Sequence, residues 1–298
     1  MSRPAGLNPY DKIIESLAGN PTRIQALFEE ERNDRNYEAK EKLLGEEFQG
    51  VNELLVHLGE TELPSQRYRV AMPINVKEAE SKYSTDRAHL FWACLTEAID
   101  LWLTPQDCLH MTVIVVALSI TPKELVDKTI RFKPCLKKLA SIFHGQQIRL
   151  VKPKLSFNEG GVALSFVPAA DEETQDSRTK TTDYTYLHLR RDIFALCSEK
   201  GVDAETQKGA TACHITLARF ITQEDHNRNG NPSQEAMASW VTGIEEINEM
   251  LAQKYWPHEG SVPPESGSWV IDGRRSLDIR AGTIWYGGGQ SLDLESEP

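Results

Sequence analysis

The chain contains no apolar stretch that approaches about twenty residues, the length that a membrane-spanning helix requires. The N-terminus, Met-Ser-Arg-Pro-Ala-Gly, also lacks the apolar core of a secretory signal. We therefore expect a cytoplasmic protein, with the nucleus as the alternative. At 298 residues the chain is long enough to bury a full core, as one large domain or two.

Cysteine is scarce, and no C-x-x-C pair is present. The five cysteines are odd in number and scattered, which indicates reduced thiols and no disulfide framework. Cys108 shares a strand face with His110, but no third and fourth ligand follows at zinc-like spacing. Cys108 also lacks an orienting Asn or Asp for a role as nucleophile. No GxxxxGK[ST] segment for ATP is present, so we expect neither a metal nor another cofactor.

Positive charge is in short supply, with a formal net charge of −11 at pH 7. The deficit is concentrated at the two ends: residues 1–66 carry −6 and residues 223–298 carry −8, whereas residues 67–222 carry +3. Strong non-specific binding of nucleic acid needs many phosphate contacts from basic residues, so we exclude it. The mildly basic middle remains compatible with a small anionic ligand or the end of a nucleic-acid strand.

Two segments share a pattern of histidine, apolar residue, threonine and apolar residue. The first reads His-Met-Thr-Val from His110, and the second reads His-Ile-Thr-Leu from His214, 104 residues later. Both lie in runs rich in β-forming residues and predict strands. Because side chains alternate between the faces of a strand, His and Thr project together to one side. The intervening apolar residues project to the other side and can be buried.

The predicted elements indicate an α+β fold. Helices are expected over 8–60 (the last near 51–58), 85–103, 121–143, 184–200 and 234–254, and strands over 67–75, 148–157, 162–167, 268–272 and 280–286, besides the two histidine strands. A hairpin with a four-residue loop at 158–161 demands antiparallel pairing. Residues 169–182 are polar and predict a surface loop. Two similar half-units would place the histidine strands face to face across a groove.

Paired imidazoles suit a reaction that needs an acid and a base together, since histidine titrates near neutral pH. Opening a phosphodiester requires a proton acceptor for the nucleophile, a proton donor for the leaving oxygen, and donors for the charged phosphoryl group. Two histidines and two threonines supply these groups without a metal.

The paired motifs, His110-Met-Thr112-Val and His214-Ile-Thr216-Leu, resemble those of the 2H phosphoesterase superfamily, and Ala218-Arg219 after the second motif is similar to the LigT-like branch. The resemblance implies two pseudo-symmetric lobes of antiparallel sheet with outer helices around a central cleft. It covers residues 67–222 and less securely extends to 286, and it leaves residues 1–60 outside. The longer spacing between the motifs is explained in part by the polar segment 169–182.

By this resemblance His110 and His214 are the catalytic acid–base pair, and Thr112 and Thr216 bind the phosphate. The family hydrolyses 2′,3′-cyclic phosphates to 2′-phosphates without a metal. Weaker substrate-binding candidates are Arg219, Tyr186, Trp285 and Tyr286. Arg219 lies an odd number of residues from His214 and would face away in a regular strand; aromatic residues can stack a base.

The resulting hypothesis is a metal-independent phosphodiesterase acting on a nucleotide or an RNA 3′ end, with RNA processing as its setting. A non-catalytic binding module or scaffold with the same fold is the alternative. The expected organisation is a helical N-terminal extension over 1–66, the two-lobed domain over 67–290 and a tail over 291–298. The sequence leaves open which histidine is the base, the preferred nucleobase, the substrate length and the oligomeric state.

Overall fold

The computed structural model describes residues 8–48, 50, 66–73, 101–105, 108–172, 183–202, 204, 210–220, 224–229, 231–258, 267–272, 277–282 and 290–292. In these residues helices and antiparallel strands combine in an α+β fold, as predicted. The helix expected near 51–58, most of the helix expected over 85–103 and most of the loop at 169–182 lie outside the described residues.

The helices begin where the sequence supplies caps. Asn8 and Asn20 accept backbone N–H bonds at the starts of the first two helices, and each is followed by a proline at the first helical position. Thr121 and Glu124 form a reciprocal capping box at the third. The α-helices in the described ranges are α1 (Pro9–Ser16), α2 (Pro21–Leu44), α3 (Pro122–Phe132), α4 (Leu136–Ala140), α5 (Tyr186–Glu199) and α6 (Gln234–Tyr255).

The strands predicted for both histidine segments and for the hairpin are present. In the described ranges they are β1 (Gln66–Pro73), β2 (Leu101–Leu103), β3 (His110–Ile120), β4 (Gln147–Asn158), β5 (Gly161–Pro168), β6 (His214–Phe220), β7 (Asn227–Arg228), β8 (Asn231–Pro232), β9 (Trp269–Asp272), β10 (Asp278–Gly282) and β11 (Gln290–Ser291).

Three local predictions were wrong. Residues 101–103, expected to end a helix, form strand β2 because they pair with the second half of β6. The hairpin turn contains two residues, Glu159 and Gly160, because Asn158 and Gly161 already pair with each other. Ser291, assigned to the tail, pairs with Arg280 in β11 and β10. In each case a partner distant in sequence or an unforeseen pairing extends the sheet.

The main sheet consists of two half-sheets joined at the histidine strands. Its order is β11-β10-β1-β3-β6-β5-β4-β9. Strand β2 pairs with the second half of β6, on the same edge as β3. Every pairing between the described strands is antiparallel. The sheet is curled into a half-barrel. The histidine strands are therefore neighbours within one sheet, and not, as expected, opposed across a groove. Their polar side chains share one face of the joint between the half-sheets.

The N-terminal helices pack on the same domain. Helix α1 lies on α5, and α2 lies along β4 and β5 and touches α6. Tyr10, Ile24 and Phe28 belong to the same continuous hydrophobic core as the sheet. Asn36 of α2 donates to the carbonyl oxygen of Leu155 at 2.8 Å, so α2 also satisfies backbone groups of β4. The described part of the extension is thus bound to the sheet by both apolar and polar contacts.

Candidate active site

The site is built on one pairing between the two histidine strands. Met111 of β3 pairs with Ile215 of β6, and both side chains are buried. In this antiparallel register the flanking residues place His110 next to Thr216 and Thr112 next to His214. These flanking side chains lie on the face opposite the buried pair, where His214 is exposed and the other three are half-buried. The predicted alternation of the two motifs is confirmed.

His110 has a defined ring orientation. Its Nδ1 lies 2.8 Å from the carbonyl oxygen of Cys108. A carbonyl oxygen only accepts hydrogen bonds, so Nδ1 carries the proton and donates it. In the neutral ring the lone pair is then on Nε2, and in the imidazolium form Nε2 carries the second proton. The geometry therefore assigns proton transfer at this histidine to Nε2.

The backbone of Thr112 is held by a hydrogen bond from Tyr186. The Tyr186 hydroxyl donates to the Thr112 carbonyl oxygen at 2.7 Å, and its ring is fully buried at the start of α5. Burial raises the pKa of Tyr186, so its phenol remains a donor. Tyr186 was proposed as a substrate contact, but a fully buried ring has no surface on which a base can stack. Its observed role is to hold the backbone of β3.

Arg190 fixes the backbone that leads into β6. Its guanidinium donates to the carbonyl oxygens of Ala210 and Ala212 at 2.6 and 2.7 Å and lies 4.8 Å from the centre of the Tyr186 ring. The residue is buried, so these charge-assisted bonds form in surroundings of low polarity. Arg190 therefore contacts both Tyr186, which binds the first motif, and the segment that leads into the second motif. Sequence reasoning missed it, because an arginine on an amphipathic helix is ordinarily exposed and nothing local marks it as buried.

His214 lies in a cationic environment. The residue is exposed to water, yet many protein atoms lie around its ring. Desolvation lowers the pKa of His214 to about 4, with further lowering from Arg190, Arg219, Arg35 and His110. The ring is neutral at pH 7, and the nearby cations favour an anionic ligand.

Arg219 lies on the face of Thr216 because β6 contains a β-bulge. Ala163 of β5 pairs with Thr216 and Val162 pairs with Ala218, so Leu217 is an extra residue. Leu217 and Ala218 are consequently both buried, and the alternation resumes one position later. The expectation that Arg219 faces away from His214 was wrong, because it assumed a regular strand.

Ser165 is a further residue that sequence reasoning missed. It pairs with His214 across β5 and β6 and is buried. Its hydroxyl donates to the carbonyl oxygen of Lys154 at 2.7 Å and lies 2.9 Å from the hydroxyl of Ser156. These bonds hold Ser165, the residue paired with His214, against strand β4. No signal in the sequence indicates them, since the register of β5 on β6 is set only by the folded sheet.

Trp285 and Tyr286 lie outside the described residues. Among the residues that the structure covers, no helix is both long and apolar enough to span a membrane. Within the same ranges, no three His, Cys, Asp or Glu side chains are grouped in a way that would hold a metal ion.

No family model and no curated protein matches this chain. Among solved structures it is similar to a conserved protein of unknown function from Agrobacterium tumefaciens, with 17% sequence identity and a TM-score of 0.45. The match covers 77% of this chain and 85% of that protein.

Proposed function

We propose that this protein is a metal-independent phosphodiesterase that hydrolyses a 2′,3′-cyclic phosphate of a nucleotide or of an RNA 3′ end. The observation that carries the proposal is the register of β3 on β6, which brings His110, Thr112, His214 and Thr216 together on one face. Two imidazoles and two hydroxyls are the groups that in-line opening of a cyclic phosphate requires. A cytoplasmic or nuclear location belongs to the same proposal and is supported by the scattered cysteines.

Electrostatics support an anionic substrate. Arg190, Arg219 and Arg35 are close enough to His214 to lower its pKa, in a chain with a net charge of −11. A local excess of positive charge in an acidic protein favours a compact anion over a long polyanion. The hydroxyls of Thr112 and Thr216 would donate to the non-bridging phosphate oxygens.

The two histidines take different roles in this proposal. His214 is neutral at pH 7 and accepts a proton from the attacking water, whose oxygen forms the new bond to phosphorus. The bond from phosphorus to the ribose 3′ oxygen breaks, and His110 in its imidazolium form donates the Nε2 proton to that oxygen. The product is a 2′-phosphate with a free 3′ hydroxyl. The carbonyl oxygen of Cys108 stabilises the imidazolium through Nδ1–H.

The test is turnover of 2′,3′-cyclic nucleotides and short RNAs with cyclic-phosphate ends, in the presence of EDTA. We expect His110→Ala and His214→Ala each to lose about 10²–10⁴-fold in kcat, the usual contribution of a general acid or base. His144→Ala is the control, since His144 is an exposed residue in the turn after α4. It should retain full activity.

Three results would oppose the proposal. Loss of activity on adding EDTA would restore a metal mechanism, and activity that persists in both histidine variants would place the chemistry elsewhere. A wild-type protein that binds 2′-phosphorylated nucleotides but turns over none of these substrates would support the alternative of a binding module.

A further inference from the structure

Helix α2 reaches the segment that precedes His214. Thr211 donates its hydroxyl proton to the Glu31 carboxylate, and the same hydroxyl accepts from the guanidinium of Arg35 at 3.3 Å. Glu31 and Arg35 are themselves paired at 3.2 Å across one helical turn. These three residues form a closed set of contacts, which we call the Thr211 bridge. It joins the N-terminal region to the backbone three residues before His214.

The bridge complements the contacts of Arg190. Arg190 of α5 binds the carbonyl oxygens on either side of Thr211, at Ala210 and Ala212. The bridge holds the side chain between them, and Thr211 is only 2% exposed. The segment that enters β6 is therefore restrained from two helices at successive residues. Such restraint limits the positions available to the next side chain that projects into the site.

We propose that Glu31 and Arg35 are positioning residues for His214, so that helix α2 is part of the active site. The proposal rests on the proposed function only in naming His214 as the group that transfers a proton. The sequence resemblance covers residues from 67 onwards and leaves helix α2 outside, so this role is not implied by it.

Because Glu31 and Arg35 are partly exposed, a role in positioning His214 can be distinguished from a role in folding stability. The side chains of Glu31 and Arg35 are each 41% exposed, and an exposed ion pair contributes little to folding stability. If the Thr211 bridge were purely structural, its loss would therefore have small effects on both kcat and stability. A positioning bridge predicts a large loss of kcat with little loss of stability, since small misplacements of a reacting group cost much more in rate than in folding.

The charge of Arg35 also acts on His214 through space. The charged groups that act on this imidazole are Arg190 from α5, Arg219 from β6, Arg35 from α2 and His110 from β3. Glu31 lies beside Arg35 and offsets part of its charge. Replacing Arg35 by a neutral residue removes one of the cations that oppose protonation, so the pKa of His214 should rise towards its ordinary value.

The experiment uses the full chain and compares Arg35→Gln, Arg35→Lys and Thr211→Val. We expect Arg35→Gln to raise the pKa of His214 in an NMR titration without substrate and to lower kcat by about 10-fold or more. Thr211→Val retains the charge, so it should lower kcat while leaving the pKa in place. Arg35→Lys should keep the pKa low and recover part of kcat.

Lys40→Gln is the matched control. Lys40 lies on the same helix and pairs with Glu245 of α6 at 2.7 Å, with side chains 36% and 46% exposed. The substitution removes a comparable tie between α2 and the rest of the domain, without contact with Thr211. Wild-type kcat and an unchanged titration of His214 are expected. If Arg35→Gln and Thr211→Val match this control in both measurements, the positioning role is wrong.

The titration separates this inference from the proposed function. If no variant and no wild-type protein turns over a cyclic nucleotide, the proposed function fails, but the pKa of His214 still reports whether Arg35 acts on it. When no turnover can be measured, an unchanged pKa of His214 in Arg35→Gln overturns the inference.

Discussion

A β-carbon on Gly161 would clash with the carbonyl oxygen of Ala218, which would lie closer than β-carbons approach other atoms in proteins. Gly161 opens β5 with φ +140°, a conformation that residues with a β-carbon rarely adopt. It pairs with Arg219 just beyond the bulge of β6. The absence of a side chain therefore allows the close approach of β5 to the part of β6 that carries Arg219.

Gly161→Ala should destabilise the protein by at least about 2 kcal/mol, because backbone strain and a backbone clash act together. The control is Gly243→Ala, in the middle of α6, where a β-carbon meets no atom within 4 Å. That change should stabilise the protein by about 0.5–1 kcal/mol, since alanine loses less backbone entropy in a helix. Urea denaturation measures both. Equal stabilities for the two variants would contradict the close approach of β5 and β6.

Tyr186→Phe removes the hydroxyl that binds the carbonyl oxygen of Thr112 and leaves the ring in place. We expect the free energy of unfolding to fall by about 1–2 kcal/mol, because a half-buried carbonyl loses a donor. Tyr37→Phe is the comparison, since Tyr37 is 64% exposed, and its effect should stay within about 0.5 kcal/mol. A stability of Tyr186→Phe equal to that of Tyr37→Phe would show that the bond contributes nothing.

The pKa of His214 predicts how stability and rate depend on pH. The folded-state pKa is lowered to about 4, below the value of about 6.5 in an unfolded chain. Between these values the unfolded chain binds more protons at this site, so the stabilising contribution is present above pH 6.5 and is lost as pH falls through the folded-state pKa. The acidic limb of the kcat/KM profile should likewise lie below pH 6.5.

The measurement is an NMR titration of the histidine rings, with His214 assigned by its absence in His214→Ala. Adding inorganic phosphate should raise the pKa of His214, because a bound anion offsets the cations around it. A ring that titrates at 6.5 and does not respond to phosphate would remove the electrostatic support for an anionic substrate.

The local patterns of this chain were sufficient for several elements. The alternation of His110 to Val113 and of His214 to Leu217 has the period of a strand, which depends only on how a backbone places successive side chains. Asn8, Asn20 and Thr121 mark the starts of helices, because their side chains bond to backbone atoms a few residues away. Such features need no distant partner, and the strands at both histidine motifs and the helices beginning near residues 8 and 121 were predicted correctly.

Tertiary structure decided how these elements form a site. The pairing of Met111 with Ile215, the bulge at Leu217 and the burial of Tyr186 each depend on residues far along the chain. Strand register is set by the packing of both faces of a sheet, which no single segment encodes. The lowered pKa of His214 likewise results first from desolvation by the surrounding protein and then from guanidinium groups on α2, α5 and β6 that act through space. The sequence therefore indicated the reacting groups, and the folded sheet determined their neighbours and their charge.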